Sequence, residues 1–464
     1  MIKLPCELQE ILSASEFNAA YLVGGCVRDN LLGSPGKDFD IEVFGVSYAK
    51  LVDLLSRRGK PNLVGKSFGV VKMTTPDGFS FDFTIPRRDS KVAVGHKGFE
   101  IALDPTIDPQ DAASRRDFTI NSLMYHVAKD ELLDFFGGQR DLQNKILRHT
   151  SSAFVEDPLR VLRGMQLTSR FDLTAAPETI ALCRKIKSSF AELALERVRE
   201  EWFKLAEKSE KPSRGLQFLH ETEWIDHFPE IKALIGMPQD PEWHPEGDVF
   251  VHTCHCCDAL VKLPEWKNAD TDSRIVYFLA TLSHDFGKPS TTHLALKRGQ
   301  MRTVSPGHES VGVPLTKTFL DRINTPPAIQ ERVLPLVANH LAHFQTISDP
   351  ALRRLARRLA PESIHGLCVV MSADHMGRPP LPAVVPESVK LLLSRAREMK
   401  IQASAPQPVL LGRHLLEQGF SPGKKMGMIL REAFDAQIEG TFSDLAGAIE
   451  WLRDKKEFPP TQET

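Results

Sequence analysis

Hydrophobic and polar residues alternate in short runs along the first 150 positions of the chain. Phe39, Ile41 and Val43 are separated by acidic residues, and segments 70–73 and 79–85 have the same β-type character. A spacing of two places alternate side chains on opposite faces of a strand. Residues 51–58 instead have helical spacing. This part of the chain is therefore predicted to form a small mixed β-sheet with helices.

From about residue 150 onward the hydrophobic spacing becomes helical. Leu159, Leu162 and Met165 recur at intervals of three, and a polar stretch at 207–213 marks a predicted boundary. The proline-rich segment 378–385 (RPPLPAVV) is typical of a linker. We predict an α+β protein in four parts. They are a mixed-sheet head at 1–145, an all-α neck at 146–215, a histidine-rich domain at 240–380, and a helical body and tail at 381–464.

Composition narrows the class of protein. The 464 residues are 42% hydrophobic and 25% charged, which excludes global disorder. A net charge of −2 excludes a nucleic-acid binder with a basic excess throughout, but not a local basic face. Seven irregularly spaced cysteines favour a reducing compartment, and no apolar run is long enough to span a membrane. We therefore expect a cytoplasmic protein.

A glycine pair and three carboxylates form the first candidate site. Gly24 and Gly25 follow an apolar strand, and paired glycines let backbone N–H groups approach an anion. Asp38 and Asp40 lie two apart on a predicted strand and so share a face. Asp82 lies between alternating aromatics and can face the pair. Carboxylates beside a glycine turn that can bind phosphate suit Mg²⁺ and a nucleoside triphosphate. The alternative is that Asp38 and Asp40 are only exposed acidic residues on a strand.

A second pair lies further along the chain. Asp157 and Arg160 are three residues apart and are predicted to be neighbours on one helix face. Beside a nucleotide they would offer one hydrogen-bond acceptor and one forked donor. The alternative from spacing alone is a surface salt bridge.

Five motifs in order across residues 20–205 resemble the class II tRNA nucleotidyltransferases, which are the CCA-adding enzymes and the related bacterial poly(A) polymerases. The first is the glycine pair with Arg28 and the aspartates, within a head similar to DNA polymerase beta. The remaining motifs are the following segments: 115–121 (RRDFTIN), 136–142 (FGGQRDL), 156–163 (EDPLRVLR) and 196–201 (ERVREE).

The resemblance implies roles for these residues. Asp38 and Asp40 would bind two Mg²⁺ ions, with Asp82 assisting catalysis. Nucleotide binding would involve Gly24, Gly25, Arg28, Arg116, Asp117, Asn121, Asp157, Arg160 and Arg163. The implied reaction is template-independent addition of CMP and AMP from CTP and ATP to the 3′ end of tRNA.

Residues 86–106 bear on which nucleotides are added. In the resembled family a flexible loop at this point accompanies the ability to add A, and enzymes restricted to CC addition are shortened here. The segment is full length and rich in glycine and charge, which favours A addition. An ordinary surface loop is the alternative.

Histidines and acids between 244 and 374 form the second candidate site. His252, the pair His284-Asp285, and Asp374 occur in an order that suits a divalent metal. The order and its surroundings resemble the HD phosphohydrolase domain that is fused to the CCA-adding enzymes of some bacteria. By that resemblance these four residues bind metal, which could be Mg²⁺, Mn²⁺, Ni²⁺ or Co²⁺. His308 and His340 are candidates for a second ion.

Three cysteines lie close to these histidines. Cys254, Cys256 and Cys257 have a spacing that is poor for one tetrahedral zinc site, and no second cysteine pair follows. They are predicted to be small core residues or free thiols.

The last third of the chain is locally basic. Residues 351–432 contain thirteen Lys and Arg against six Asp and Glu. Arg353, Arg354, Arg357 and Arg358 recur at helical spacing, and 420–427 (FSPGKKMG) joins two predicted helices. The segment resembles the tRNA-gripping tail of the same family. A solvated helical hairpin is the alternative.

Two other functions compete with CCA addition. One is a poly(A) polymerase or an enzyme that adds only A, with the same chemistry. The other is an HD phosphohydrolase whose head only binds RNA, which the intact Asp38, Asp40 and Asp82 argue against.

Overall fold

The computed structural model describes residues 2–63, 69–91, 99–342 and 348–455. They fall into two compact units, Met1–His227 and Phe228–Thr464. Within the described residues, no helix combines the length and the apolar character needed to cross a membrane.

A six-stranded mixed sheet organises the first unit, in the order β3-β4-β2-β1-β7-β8. Strands β2 and β4 run parallel, and the other neighbours are antiparallel. The strands of this unit are β1 (Ala20–Val23), β2 (Asp38–Val43), β3 (Val70–Thr74), β4 (Ser80–Thr84), β5 (Arg87–Lys91), β6 (Phe99–Leu103), β7 (Met124–His126), β8 (Glu131–Leu133), β9 (Ile146–Leu147) and β10 (Thr174–Ala175). The predicted mixed sheet is confirmed.

Alternation along these strands builds the core of the sheet. Phe39, Ile41 and Val43 point into the core, as do Phe81 and Phe83 on the parallel neighbour. The polar positions between them consequently face the other side. The helices of this unit are α1 (Cys6–Leu12), α2 (Gly25–Leu31), α3 (Tyr48–Ser56), α4 (Pro109–Ser114), α5 (Gly138–Gln143), α6 (Leu159–Phe171), α7 (Pro177–Lys185), α8 (Leu195–Lys208) and α9 (Pro212–Glu221).

The segment predicted as a flexible loop is partly a hairpin. Strands β5 and β6 pair antiparallel from Arg87↔Leu103 to Lys91↔Phe99. Residues 92–98, which carry the centre of that prediction, lie outside the described residues.

Helices dominate the second unit, as predicted. They are α10 (Pro229–Lys232), α11 (Val249–Leu260), α12 (Pro264–Lys267), α13 (Thr271–Ser283), α14 (Lys288–Thr291), α15 (His308–Arg322), α16 (Pro327–Asn339), α17 (Asp349–Leu359), α18 (Ile364–Met376), α19 (Glu387–Glu398), α20 (Gly412–Glu417), α21 (Lys424–Glu439) and α22 (Leu445–Asp454). A hairpin of β11 (His293–Lys297) and β12 (Gln300–Val304) departs from the all-helical expectation. The predicted proline-rich linker connects α18 to α19.

The arginines of α17 are less available than the sequence indicated. Arg354 Nη1 lies 2.5 Å from Glu439 Oε1, and Arg357 Nη1 lies 2.5 Å from Asp435 Oδ1. Both acids belong to α21 and lie just after residues 351–432, the segment in which Lys and Arg outnumber Asp and Glu. Ion pairs therefore offset part of that surplus, because packing of α21 against α17 brings in acids that are distant in sequence.

Candidate functional site

The parallel pairing of β2 and β4 brings the three predicted carboxylates together. Asp40 is the direct neighbour of Asp82, and Asp38 lies opposite Ser80. Lys72 Nζ on β3 contacts Asp82 Oδ2 at 3.2 Å. The strand register thus places the acids on one face of the sheet, as their spacing predicted.

Asp40 carries the electrostatic signature of this acidic face. It keeps an exposed surface at the open side of a cavity. Burial by the surrounding protein raises the pKa of its carboxyl group, Asp82 and Asp38 raise it further, and Arg116 opposes them. Clustered oxygen ligands with like charges fit a hard divalent cation, which would relieve their repulsion.

The turn after β1 brings backbone close to this face. Gly24 has a φ of 72°, and a Cβ there would lie 3.0 Å from Arg116 Nη1 and 3.9 Å from Asp40 Oδ2. Arg116 Nη2 contacts Glu42 Oε2 at 3.3 Å, while its buried Nε has no hydrogen-bond partner. Gly24, Gly25 and Arg116 line the same cavity of about 460 Å³, as does Asp40. Arg116 therefore brings a positive charge into the cavity close to the Asp40 carboxylate.

A network of hydrogen-bonded polar side chains also lines this cavity. Arg163 Nε donates to Asp117 Oδ2 at 2.7 Å, and Asn121 Nδ2 donates to Asp117 Oδ1 at 3.0 Å. Asn121 Oδ1 accepts from Arg28, which also pairs with Asp29 at 2.7 Å. Burial alone would raise the pKa of Asp117, but Arg163 and Asn121 outweigh it and lower that pKa to about 2. The network holds these side chains in fixed positions.

Asp157 and Arg160 both line this cavity, but not as neighbours on a helix face. Asp157 precedes α6 in an extended conformation and accepts from the Leu159 N–H at 3.1 Å. That geometry corrects the helical prediction, because the proline at 158 delays the start of the helix. Arg160 donates to the carbonyl oxygens of Ala153 at 2.7 Å and Arg115 at 2.6 Å.

Arg197 is a cavity residue that the sequence singled out only as part of a motif. Its Nη2 lies 2.9 Å from Asp157 Oδ2, so α8 orients the carboxylate in front of α6. The segment 196–201 resembles the family motif that supports the base-reading helix, and this contact fits such a role. The two partners lie 40 positions apart, which explains why spacing alone did not pair them.

The second site forms where the ends of several helices of the second unit converge. His252 Nε2 lies 3.1 Å from Asp374 Oδ1 and 3.7 Å from Asp285 Oδ2. His284 Nε2 lies 3.2 Å from Asp285 Oδ2. All four predicted residues of the histidine–aspartate set are thus brought together, and His252, His284 and Asp285 are almost completely buried.

The two histidines predicted for a second ion lie beside the same aspartate. His308 Nε2 is 3.2 Å from Asp285 Oδ1 and 3.1 Å from His340 Nε2. Asp285, His308 and His340 also form a compact donor group. Asp285 thus lies between His252 and His284 on one side and His308 and His340 on the other, and the second ion stays a prediction.

Backbone carbonyls orient three of these imidazoles. The Nδ1 atoms of His284, His308 and His340 lie 2.6 to 2.8 Å from the carbonyl oxygens of Thr281, Ser305 and Val337. A carbonyl accepts only, so each Nδ1 carries a proton and each ring turns its Nε2 towards the shared group of donors. The Nε2 atoms of His308 and His340 consequently face each other beside Asp285, in a group that fits a cation.

Glu246 is a residue of this site that sequence reasoning missed. Its buried Oε1 lies 2.7 Å from His252 Nδ1 and 2.9 Å from His244 Nδ1. Burial would raise the pKa of Glu246, but hydrogen bonds from both histidines lower it to about 2. The carboxylate therefore keeps the proton of His252 on Nδ1. Its place six residues before His252 was the available signal.

A small cavity gives access to these donors. It has a volume of about 230 Å³ and is lined by Asp285, His308, His340 and Asp374. Lys288 Nζ contacts Asp285 Oδ2 at 2.7 Å, and Trp243 at the rim is 59% exposed. The donors of the site are consequently within reach of a small ligand that enters this cavity.

Three family models match successive parts of the chain. A family model described as the Poly A polymerase head domain matches residues 20–148. A model described as the probable RNA and SrmB-binding site of polymerase A matches 172–235, and the HD domain model matches 253–377.

Curated relatives match most of the chain. The "Multifunctional CCA protein" of Xanthomonas campestris pv. campestris (strain B100) is 35% identical over 77% of this chain and 85% of its own length. The protein of that name from Cupriavidus metallidurans is 33% identical over 83% of this chain and 91% of its own length.

Solved structures share the fold. The Thermotoga maritima CCA-adding enzyme complexed with tRNA_CCA has a TM-score of 0.59 at 20% identity, covering 98% of this chain and 97% of that chain. The Bacillus stearothermophilus CCA-adding enzyme in complex with CTP has a TM-score of 0.63 at 18% identity, covering 98% and 100%. At these identities the likeness concerns the fold alone.

Proposed function

The chain belongs to the family of multifunctional CCA proteins, and we propose that it adds CMP and AMP to the 3′ end of tRNA without a nucleic-acid template. The observation that carries the proposal is the acidic face of Asp38, Asp40 and Asp82 opposite the arginine-lined cavity. The family resemblance stated from the motifs is confirmed. The substrates are tRNA, CTP and ATP.

The reaction forms a bond between the tRNA 3′ oxygen and the α-phosphorus of the nucleotide. The bond from that phosphorus to the bridging oxygen breaks in line, and pyrophosphate leaves. Asp38 and Asp40 would hold Mg²⁺, which neutralises phosphate charge and lowers the pKa of the attacking hydroxyl. Arg116 and the backbone at Gly24 and Gly25 bind the triphosphate, because they line the cavity beside Asp40.

Base choice rests on Asp157 and Arg160 at the far wall of the cavity. Cytosine and adenine each present an amino donor beside a ring-nitrogen acceptor, which a carboxylate and a guanidinium satisfy. Guanine and uracil instead present a carbonyl oxygen to Asp157 and a ring N–H to Arg160. Neither charged side chain then has a matching hydrogen-bond partner. The Asp117 network holds Arg163 and Arg28 in place for the ribose and the phosphates.

A second activity belongs to the HD site. We propose metal-dependent hydrolysis of 2′,3′-cyclic phosphate or phosphomonoester ends, as in the repair of damaged tRNA termini. His252, His284, Asp285 and Asp374 would hold the ion, which supplies Lewis acidity and an activated water. Lys288 lines the cavity and is placed to bind the phosphate. Imidazole donors favour Co²⁺ or Ni²⁺ over Mg²⁺ or Mn²⁺.

Full CCA addition is favoured over A-only addition and over a poly(A) polymerase. The relatives named "Multifunctional CCA protein" support it, and the fused HD domain with the complete 156–163 motif argues against a poly(A) polymerase. The test uses tRNA ending at the discriminator base, at C or at CC, each with labelled CTP or ATP. A CCA-adding enzyme extends the first two with CTP and the third with ATP. Extension of the CC-ending tRNA alone would make it an A-adding enzyme, and a long A tail on every RNA would make it a poly(A) polymerase.

Each of four segments of the chain has a proposed role in tRNA processing. We propose a nucleotidyltransferase head at 1–145, a base-reading neck at 146–215, an HD domain at 240–380 and a tRNA-binding body and tail at 381–464. The three family-model matches support the first three. The positive charges of Lys424 and Lys425 at the start of α21 support the last. We also propose a cytoplasmic location, which the tRNA substrate supports.

A further inference from the structure

Cys256 lies directly beside the HD site although its cysteine neighbours do not point there. It follows His252 by four residues on α11, so the two side chains share a helix face. Its Sγ lies 3.3 Å from His252 Nε2 and 3.6 Å from the carbonyl oxygen of Asp374. Donor atoms of His252, Cys256, His284 and Asp374 all lie within 4.8 Å of one another.

A buried imidazole nitrogen points into the same group. His284 is 1% exposed, and its Nε2 lies 3.2 Å from Asp285 Oδ2. Its Nδ1 donates to the Thr281 carbonyl, which turns Nε2 towards the other donors. Nitrogen, sulfur and carboxylate donors therefore converge in one buried group, which fits a divalent cation.

The fold reserves space for this thiol. A Cβ on Gly377, at the end of α18, would lie 2.5 Å from Cys256 Sγ and 2.6 Å from its backbone nitrogen. The end of the helix that carries Asp374 thus packs against Cys256 without a side chain between them. Nitrogen and sulfur ligands of one ion, at bond lengths of about 2.1 and 2.3 Å, are separated by roughly 3 to 3.6 Å. The observed 3.3 Å falls in that range.

We propose that Cys256 is a thiolate ligand of the divalent ion in the HD site, beside His252, His284 and Asp374. Sulfur is a softer donor than imidazole or carboxylate. The thiolate therefore shifts the preference of this site from Mg²⁺ towards Co²⁺, Ni²⁺ or Zn²⁺. The inference rests on the proposed HD function, because it presumes that the site holds a metal.

The test is spectroscopic and needs no turnover. Metal-free full-length protein is titrated with Co²⁺ while the near-ultraviolet absorbance is followed, where a cobalt–thiolate bond gives a charge-transfer band. We expect the band in the wild type and its loss in Cys256→Ser, with the same amount of Co²⁺ retained after gel filtration. X-ray absorption of the Co²⁺-loaded wild type should show one sulfur ligand, a result that does not depend on a variant folding.

Two matched controls identify the source of the band. Cys254→Ser removes a buried thiol of the same helix that lies outside the donor group, and Cys26→Ser removes the thiol near Asp40 in the head. Both should keep the band. Co²⁺ bound to the wild type without a sulfur band would overturn the cysteine assignment and leave the hydrolase standing. Failure of the wild type to bind Co²⁺ at this site would overturn both.

Discussion

Individual side chains in both sites have their charge set by neighbours before any ligand binds. Asp117 and Glu246 are held as carboxylates because hydrogen-bond donors lower each pKa to about 2. Asp40 is the reverse case, since burial and the acids around it raise its pKa. A group whose ionised form is disfavoured gains most from an incoming cation. The raised pKa of Asp40 thus supports the proposed cation site in the head, while Asp117 and Glu246 stay ionised and orient their neighbours.

The first prediction concerns Asp40. Asp40→Asn keeps the shape of the side chain and removes its charge, so nucleotide incorporation should fall at least about 100-fold, roughly 3 kcal/mol. Incorporation of labelled CMP into tRNA measures the rate, and circular dichroism checks the fold. Asp53→Asn is the control, because Asp53 pairs with Arg57 on the exposed helix α3. A loss below about tenfold would refute the metal assignment.

The second prediction concerns base choice. Asp157→Ala and Arg160→Ala should lower CTP and ATP incorporation more than GTP and UTP incorporation, because they remove the groups that match the amino donor and the ring nitrogen. Arg197→Ala should act in the same direction but less strongly, since Arg197 only orients Asp157. Rates are compared for all four nucleotides.

Arg184→Ala is the control, because it also removes one arginine charge but from an exposed side chain that does not line the cavity. It should change none of the four incorporation rates. Equal losses for all four nucleotides in the Asp157 and Arg160 variants would mean that these residues position the phosphates or the fold.

At the scale of elements, glycines decide how closely helices of the first unit approach. A Cβ on Gly215 of α9 would lie 2.2 Å from Ser169 Oγ and 2.6 Å from the Met165 carbonyl oxygen on α6. A Cβ on Gly164 of α6 would lie 2.8 Å from Phe218 on α9. Helix α6 also carries Arg160 and Arg163 and begins two residues after Asp157. Its packing therefore sets the wall of the nucleotide cavity.

The third prediction follows from that packing. Gly215→Ala should destabilise the first unit by about 1–3 kcal/mol, because the added methyl group meets backbone as well as side chain. Denaturant unfolding of the full chain measures the change. Gly36→Ala is the control, since the nearest atom to its Cβ would be 3.9 Å away. A variant as stable as the wild type would show that the two helices separate without cost.

At the scale of the molecule, the two sites lie in different compact units. The nucleotide cavity is built from residues of Met1–His227, and the HD cavity from residues of Phe228–Thr464. No residue lining one cavity lines the other. Their chemistries can therefore be removed separately.

The fourth prediction tests that separation. His284→Ala should abolish hydrolysis of a 2′,3′-cyclic phosphate end and leave nucleotide addition within about twofold, because it removes one donor of the HD site only. Asp40→Asn should have the opposite pattern. Both activities are assayed on the same preparation with Mg²⁺, Mn²⁺, Co²⁺ or Ni²⁺. Hydrolysis that persists in His284→Ala, or is absent from the wild type with every ion, would contradict the assignment.

The sequence by itself determined what depends on local periodicity and on motif order. Asp38 and Asp40 had to share a strand face, because side chains alternate with a period of two. The family resemblance, the mixed sheet and the histidine–aspartate set all followed from short segments. The spacing of four between His252 and Cys256 likewise places both side chains on one face of α11.

Only the tertiary structure decided which distant residues meet. Arg197 reaches Asp157 across 40 positions, and His252 reaches Asp374 across 122. Asp435 and Glu439 neutralise arginines that the sequence presented as a free basic face. The reason is physical: backbone geometry fixes the direction of neighbouring side chains, whereas encounters between distant ones depend on how helices and strands pack.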